Sequence, residues 1–343
     1  MSGPAQYDVS AVGDTPLVEL DLGVAPTVYG KVEWLNFPDA PLGGTVKSRI
    51  AVSMLNRAER RGDLDGDATV IEPSSGNTGS AVARVAAARG YDAEIVARSD
   101  VGAGKVAAIR DAGATVRFVD PSLPYFAKIS RTRELCDRHG ERYYFPNQYV
   151  NPANPAAHER TGQEIVAQTD GDVTAAVLGV GTGGTATGVA RVLPDGARAV
   201  GFEPAAVHGI EGLRHRPGAH GEPTEAFERA LLDDEYTVSG DDAHDWGRRL
   251  RDRYADEDPR IHRTGRHDEA TVRDRLRVDG DFLVGESSGA AAALTARLAE
   301  RGELDADDVV VILLADRGDR YPETMWRDAV DADEQFGDEN SDD

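Results

Sequence analysis

The chain has 343 residues, enough for one large or two intermating domains, and 40% hydrophobic residues supply a real core. Lys+Arg minus Asp+Glu is 38 − 61 = −23, a charge that opposes binding to a phosphate backbone and argues against a nucleic-acid partner. No apolar run approaches the ~18 residues of a membrane span. Cys136 is the single cysteine, and MSGPAQYDVS carries no charged leader followed by an apolar stretch, so the expected location is a reducing cytoplasm. Only four basic residues are lysine (Lys31, Lys47, Lys105 and Lys128). Acid excess with depleted lysine resembles proteins adapted to molar salt, where the Debye length of about 3 Å silences self-repulsion. A GC-rich genome accounts for arginine in place of lysine but not for 61 acids.

In chain order, strand-like and Ala-rich helical runs alternate. ATVIEP (68–73) precedes SAVARVAAARG, DAEIVAR (92–98) precedes KVAAIRDAG, and TVRFVD (115–120) follows. Later, TAAVLGV (174–180) leads into TATGVARVL and then RAVGFEP (198–204). DFLVGE (281–286) precedes SSGAAAALTARLAERG, and VVVILLA (309–315) closes the core. Such alternation predicts parallel sheets covered on both faces. The loop-rich FPNQYVNPANP (145–155) divides two blocks, which predicts two doubly wound α/β domains with a cleft between them. The acidic stretch 216–260 reads as a poorly patterned excursion, and DADEQFGDENSDD (331–343), with seven acids, reads as a disordered tail.

Four glycine-rich turns carry the chemistry, because groups gather where parallel strands end and helices begin. In PLGGTVKSRI, Gly43 and Gly44 introduce a helix whose first turn holds Lys47; Val46 stands where a Walker A loop needs glycine. In EPSSGNTGSAVA, the residues Ser74, Ser75, Asn77, Thr78 and Ser80 surround Gly76 and Gly79, either an anion cup or a well-capped helix. In LGVGTGGTATGVAR, Gly179, Gly181 and Gly184 satisfy G-x-G-x-x-G with Glu203 beyond, a formal dinucleotide fingerprint. Thr182, Thr185 and Thr187 suit a single phosphate better. VGESSGAAAAL contains G-x-S-x-G at Gly285, Ser287 and Gly289, but a nucleophile elbow needs its histidine downstream, and the last one, His267, lies upstream. The histidines, including His208, His215 and His220, have no metal-ligand spacing.

These four turns, in this order, resemble the fold-type-II pyridoxal-phosphate enzymes, specifically the cysteine synthase (O-acetylserine sulfhydrylase) family, from VGDTPLVEL (12–20) to DRGDRYPET (316–324). NQYVNPANPAAH (147–158) is similar to a family signature, and GIEGLRHRP (209–217) with DRGDRY (316–321) resembles the B-type enzymes, which accept alternative sulfur donors or acylated serines. The resemblance implies pyridoxal 5′-phosphate as cofactor, Lys47 as its Schiff-base lysine and Asn77 at its phenolic oxygen. It further implies a phosphate cup of Gly181, Thr182, Gly183, Gly184 and Thr185, and Ser287 at the pyridine nitrogen, with Ser288 the alternative. Ser74, Ser75, Gly76, Thr78 and Gln148 are implied to hold the substrate carboxylate. The implied domains are a smaller mobile one, 43–147, and a larger cofactor-binding one of 12–42 with 148–330, in a cytoplasmic homodimer. The implied reaction makes L-cysteine from O-acetyl-L-serine and sulfide through an aminoacrylate. O-phosphoserine or thiosulfate are alternative substrates, with Arg214 as a phosphate-binding candidate beside Arg216. A cystathionine β-synthase, a serine/threonine dehydratase and, from another class, an NAD-dependent dehydrogenase are the competing activities. Ser48 replaces the family's usual aspartate, Ser74 a common threonine and Gln163 a common proline, and ARSDVGAGKVAAI lacks the usual Ser-x-Glu-Arg pattern.

Overall fold

A computed structural model describes residues 7–40, 42–123, 127–206, 209–215 and 224–327. His208, Arg216, His220, the start of the acidic excursion and the tail 331–343 lie outside them.

Strands β1 (Leu17–Leu20) and β2 (Thr27–Val32) come first, then helix α1 (Val46–Arg61). An alternating block follows: β3 (Thr69–Glu72), α2 (Asn77–Ala88), β4 (Ala93–Arg98), α3 (Ala103–Asp111), β5 (Thr115–Val119), α4 (Ala127–Arg138) and β6 (Tyr143–Tyr144). Its strands pair in the order β5-β4-β3-β6, all parallel. The second block contains α5 (Ala153–Gln168), β7 (Ala175–Gly179), α6 (Gly184–Ala190), β8 (Arg198–Pro204), β9 (Asp234–Val238), α7 (Gly240–Arg253), β10 (Arg260–Arg263), α8 (Glu269–Leu276), α9 (Glu286–Glu300) and β11 (Val309–Leu314). With the first two strands it forms a seven-stranded sheet ordered β10-β1-β2-β11-β7-β8-β9.

The expected α/β architecture of two sheets is therefore present, with three corrections. The larger sheet is not wholly parallel, since β1 runs antiparallel to both β2 and β10 at one edge. DFLVGE forms no named strand: Phe282, Leu283 and Val284 are fully buried, but they make only single bridges, Val278 to Asp281 and Val284 to Arg317. The excursion 216–260 is patterned after all, because it supplies β9 and α7. Helix α7 buries Ala243, Gly247 and Leu250, a stripe at helical spacing that its many charges obscure in the sequence.

Helix α1 connects the two blocks. Ile50 and Met54 pack on Ala153 and Ala157 of α5, while Ala51, Leu55 and Ala58 enter the core of the smaller sheet with Val70, Val82 and Ile95. Its start is a capping box: Thr45 Oγ1 accepts from the Lys47 N–H at 3.0 Å, and Ser48 Oγ accepts from the Thr45 N–H at 3.2 Å. Ser48, the departure from the family pattern, thus has a structural task. Gly62 closes the helix in the left-handed region, φ 72°.

Candidate active site

Lys47 sits where β11 ends, because the Val46 N–H donates to the Ala315 carbonyl at 2.8 Å. Its side chain enters a slot between the ends of β7, β8 and β11, shared with Gly179, Gly181, Thr185, Ser287 and Asp316. The slot opens into a cleft of about 640 Å³ lined by Ser74, Ser75, Gly76, Asn77, Thr78, Gln148, Thr182 and Arg214. All four glycine-rich turns therefore converge on one place. Burial lowers the Lys47 amine from 10.5 to about 8; the Asp316 carboxylate opposes the shift and Arg214 adds to it. An amine titrating there is a usable nucleophile and base near neutral pH.

The loop after β7 has two kinds of constraint. Gly183 has φ 84°, and a Cβ there would come within 2.2 Å of Phe227; one on Gly184 would come within 2.0 Å of Asn154 Oδ1. Internal packing thus constrains both glycines, and the hydroxyls of Thr182 and Thr185 are fixed by partners on α5. Asn154 Nδ2 donates to Thr182 Oγ1 at 3.0 Å and to the Gln148 carbonyl at 2.7 Å, while His158 Nε2 lies 3.1 Å from Thr185 Oγ1. The NQYVNPANPAAH stretch is thereby the frame of the cup. Burial, with Lys47 and Arg49 nearby, drives His158 well below its usual range, so a neutral imidazole backs the cup.

In the loop after β3, a Cβ on Gly79 would collide with the Ser74 carbonyl at 1.7 Å, whereas one on Gly76 would meet nothing within 4 Å. Gly79 shapes the turn, and the missing side chain of Gly76 leaves the cleft wall open. Thr78 Oγ1 donates to Gln148 Oε1 at 2.9 Å, and Gln148 Nε2 donates to Glu72 Oε1 at 3.2 Å. The two side chains expected to hold a carboxylate bond each other here. Burial pushes Glu72 up to about 8 against the pull of Lys128 and Gln148, and its Oε2 has no hydrogen-bond partner among the described residues.

The remaining alternatives separate by position. Ser287 lines the slot, whereas Ser288 is fully buried and its Oγ accepts from the Ala315 N–H at 3.1 Å. Arg214 points inward: its guanidinium lies 4.8 Å from the centroid of the Tyr149 ring and bonds that hydroxyl. Sequence reasoning assigned no site role to Lys128 in the cleft lining, to Glu72 behind Gln148, or to Asp316 and Arg320 around Asn77. For Lys128 the signal was available, since lysine is so rare in this chain. No group of three or more His, Cys, Asp or Glu side chains among the described residues has metal-binding geometry, and none of the described helices is long and apolar enough to cross a membrane.

The low-pKa Lys47 amine, the Asn77 amide and the hydroxyls of Thr185 and Ser287 in one slot are a donor set suited to a phosphorylated aldehyde. Residues 9–316 match the pyridoxal-phosphate dependent enzyme family, and the chain belongs to that family. It is an α/β enzyme of fold type II that uses pyridoxal phosphate. It is 34% identical over 325 residues to a cysteine synthase of Aquifex aeolicus, covering 90% of this chain and 88% of that one. Among solved structures it is similar to an O-ureido-L-serine synthase (TM-score 0.78, 29% identity, 96% and 97% of the two chains). It is also similar to a cysteine synthase of Entamoeba histolytica (TM-score 0.76, 25% identity, 97% and 95%). The dinucleotide reading of Gly179, Gly181, Gly184 and Glu203 gives way to this family; Leu213 and Phe202 cover Gly179.

Proposed function

We propose that the chain catalyses β-replacement on an activated serine, converting O-acetyl-L-serine and sulfide to L-cysteine and acetate. The observation that carries this reading is the Lys47 amine, lowered to about 8, in one slot with Thr185, Gly181 and Ser287. Bound there, pyridoxal phosphate supplies the electron sink that lets the substrate's Cα proton and β-substituent leave. Lys47 would hold the cofactor through Nζ, and the same amine, buried in the slot, would receive the substrate's Cα proton. Gly181, Thr182, Gly183, Gly184 and Thr185 would hold the phosphate, and Asn77 would face the phenolic oxygen. Ser287 would face the ring nitrogen with a neutral hydroxyl, which brings no negative charge to it.

Ser74, Ser75, Gly76, Thr78 and Gln148 receive the substrate carboxylate. Thr78 and Gln148 exchange their mutual bond for bonds to it, so little is lost by their turning. The smaller domain, 43–147, closes on the larger, 12–42 with 148–330, and excludes water from the reacting centre. The enzyme works as a cytoplasmic homodimer on small molecules. Borohydride reduction followed by peptide mapping tests the assignment, with the pyridoxyl group expected on Lys47; an adduct on Lys31, Lys105 or Lys128 overturns it. Sulfide-dependent cysteine formation separates this activity from a dehydratase, which releases a keto acid, and from a cystathionine β-synthase.

A second donor is favoured by the inward Arg214, whose fork suits the dianionic phosphate of O-phosphoserine. Thiosulfate as sulfur source is open to the same assay. The charge of −23 further leads us to read the enzyme as one built for high salt. Its melting temperature is expected to climb steeply with potassium chloride toward molar concentration, and a flat or falling curve sinks that reading.

A further inference from the structure

The amide of Asn77 is oriented from the opposite side of the cleft. Asn77 opens α2, beside the smaller sheet, yet both heteroatoms of its side chain are held by the segment after β11. Nδ2 donates to Asp316 Oδ2, and Oδ1 accepts from Arg320 Nη1 at 3.2 Å. Turned by half a rotation, the amide would set its oxygen against a carboxylate and its NH2 against a guanidinium. Both contacts are repulsive, so a single orientation survives.

Asp316 is itself immobilised. The Tyr321 hydroxyl donates to the same Oδ2 at 2.6 Å, and the Asp316 carbonyl accepts from the Gly285 N–H at 3.0 Å. Oδ1 lies so close to Gly285 that a Cβ there would come within 1.8 Å, and Asp316 is 1% exposed. The carboxylate has no room to turn, and Asn77 follows it.

We infer that Asp316 is the positioning residue for Asn77: by taking one Nδ2 hydrogen it presents the other to the slot beside Lys47, where the cofactor's phenolic oxygen is to lie. The same bond ties the two sides of the cleft together. This inference rests on the reading of Lys47 and Asn77 as cofactor ligands. Asp316 exerts its effect through Asn77 and takes no proton from the substrate.

A double-mutant cycle on the holoenzyme tests it, using Asn77→Ala, Asp316→Ala and their combination at one fixed salt concentration. The readouts are the pyridoxal-phosphate dissociation constant of each protein and the position of its visible absorption band. Each single alanine variant is expected to weaken cofactor binding by roughly tenfold or more, the loss typical of a bond to a charged group, and to shift the band in the same direction. The double variant is expected to fall within about twofold of Asn77→Ala, because the two residues act as one unit. Asp316→Asn, which keeps an oxygen acceptor in place, is expected to recover most of the loss. Additive losses, or a lowered melting temperature with affinity and band unmoved in Asp316→Ala, overturn the proposal. If the alanine variant fails to fold, Asp316→Ser completes the same cycle. A wild-type protein that takes up no pyridoxal phosphate overturns the reading of the site instead, so the two failures are distinguishable.

Discussion

Two clusters of buried charge flank the first turn of α1, and they are built to opposite standards. The one around Arg49 is fully paired. Arg49 bonds both oxygens of Glu33 at 2.6 and 2.8 Å and both of Glu164 at 2.7 Å, and Lys31 adds Glu164 at 2.9 Å, the Thr15 carbonyl at 2.6 Å and Gln168 at 2.8 Å. Despite burial, Arg49 and Lys31 hold Glu164 far below the usual carboxylate range. The charged groups in and behind the cleft that Lys47, two residues earlier, lines are incompletely paired. Glu72 Oε2 and Asp316 Oδ1 have no hydrogen-bond partner among the described residues, Asp316 is raised by burial, and Lys47 and Glu72 both titrate near 8. Complete pairing favours one fixed charge state. Incomplete pairing leaves groups free to change theirs, which a site that moves protons requires.

The contrast breaks most visibly at its two centres. Lys47→Ala is expected to abolish the visible band of the holoenzyme and to lower turnover by a factor on the order of 1,000 or more, while the melting temperature hardly changes. A large loss of stability would mean that Lys47 belongs to the structural class. Glu33→Gln makes the reverse test. Removing one charge from a buried, paired set costs about 3–5 kcal/mol, a melting temperature lower by roughly 6–20 °C. Cofactor uptake is expected to persist in the folded fraction, and an unmoved melting temperature would erase the distinction.

Smaller effects sharpen it. Arg214→Ala is expected to lower kcat/KM for O-phosphoserine by roughly 10- to 150-fold, since bonds between charged groups contribute about 1.5–3 kcal/mol. The neutral acetyl ester is expected to respond far less, and equal losses on the two donors would remove Arg214 from substrate recognition. The smallest effect is at Glu72. Its folded value lies above 4.5, so ionising it in place destabilises the protein progressively as pH rises from about 4.5 through about 8. Glu72→Gln is therefore expected to raise the melting temperature by a few degrees at pH 9 and to leave it nearly unchanged at pH 4. The same gain at both pH values would show that Glu72 is not titrating.

Much of this was legible in the sequence, for identifiable reasons. Strands β3, β4, β7, β8 and β11 are short apolar runs followed by turns, the pattern of a strand buried on both faces. The four turns that meet at Lys47 were readable because each keeps its chemistry within a dozen residues. Helix α7 was not, because its buried stripe includes Ala243 and Gly247 in a segment crowded with aspartate and arginine. The contact of Asn77 with Asp316 spans 239 residues, and no local pattern announces it. The rarity of lysine carried more information than Lys47 alone used. Lys31 is fully buried in the Arg49 network, Lys128 lines the cleft at 5% exposure, and Lys105 of α3 bonds Glu211 on the far side.

The way α1 is anchored restricts the kinematics of the whole enzyme. Its first turn is fastened to the end of β11 through Val46 and to β2's flank and α5 through Arg49, whereas Leu55 and Ala58 are embedded under the smaller sheet. A single rod thus has one end bolted to each half of the protein. Displacing it bodily would tear out either the seat of Lys47 or the Arg49 lattice, so the closure proposed for the smaller domain leaves α1 in place and carries the elements hung beyond it, such as β4, α3 and β5. Hydrogen exchange should find the amides of the first two turns of α1 among the slowest in the chain and those of α3 among the fastest.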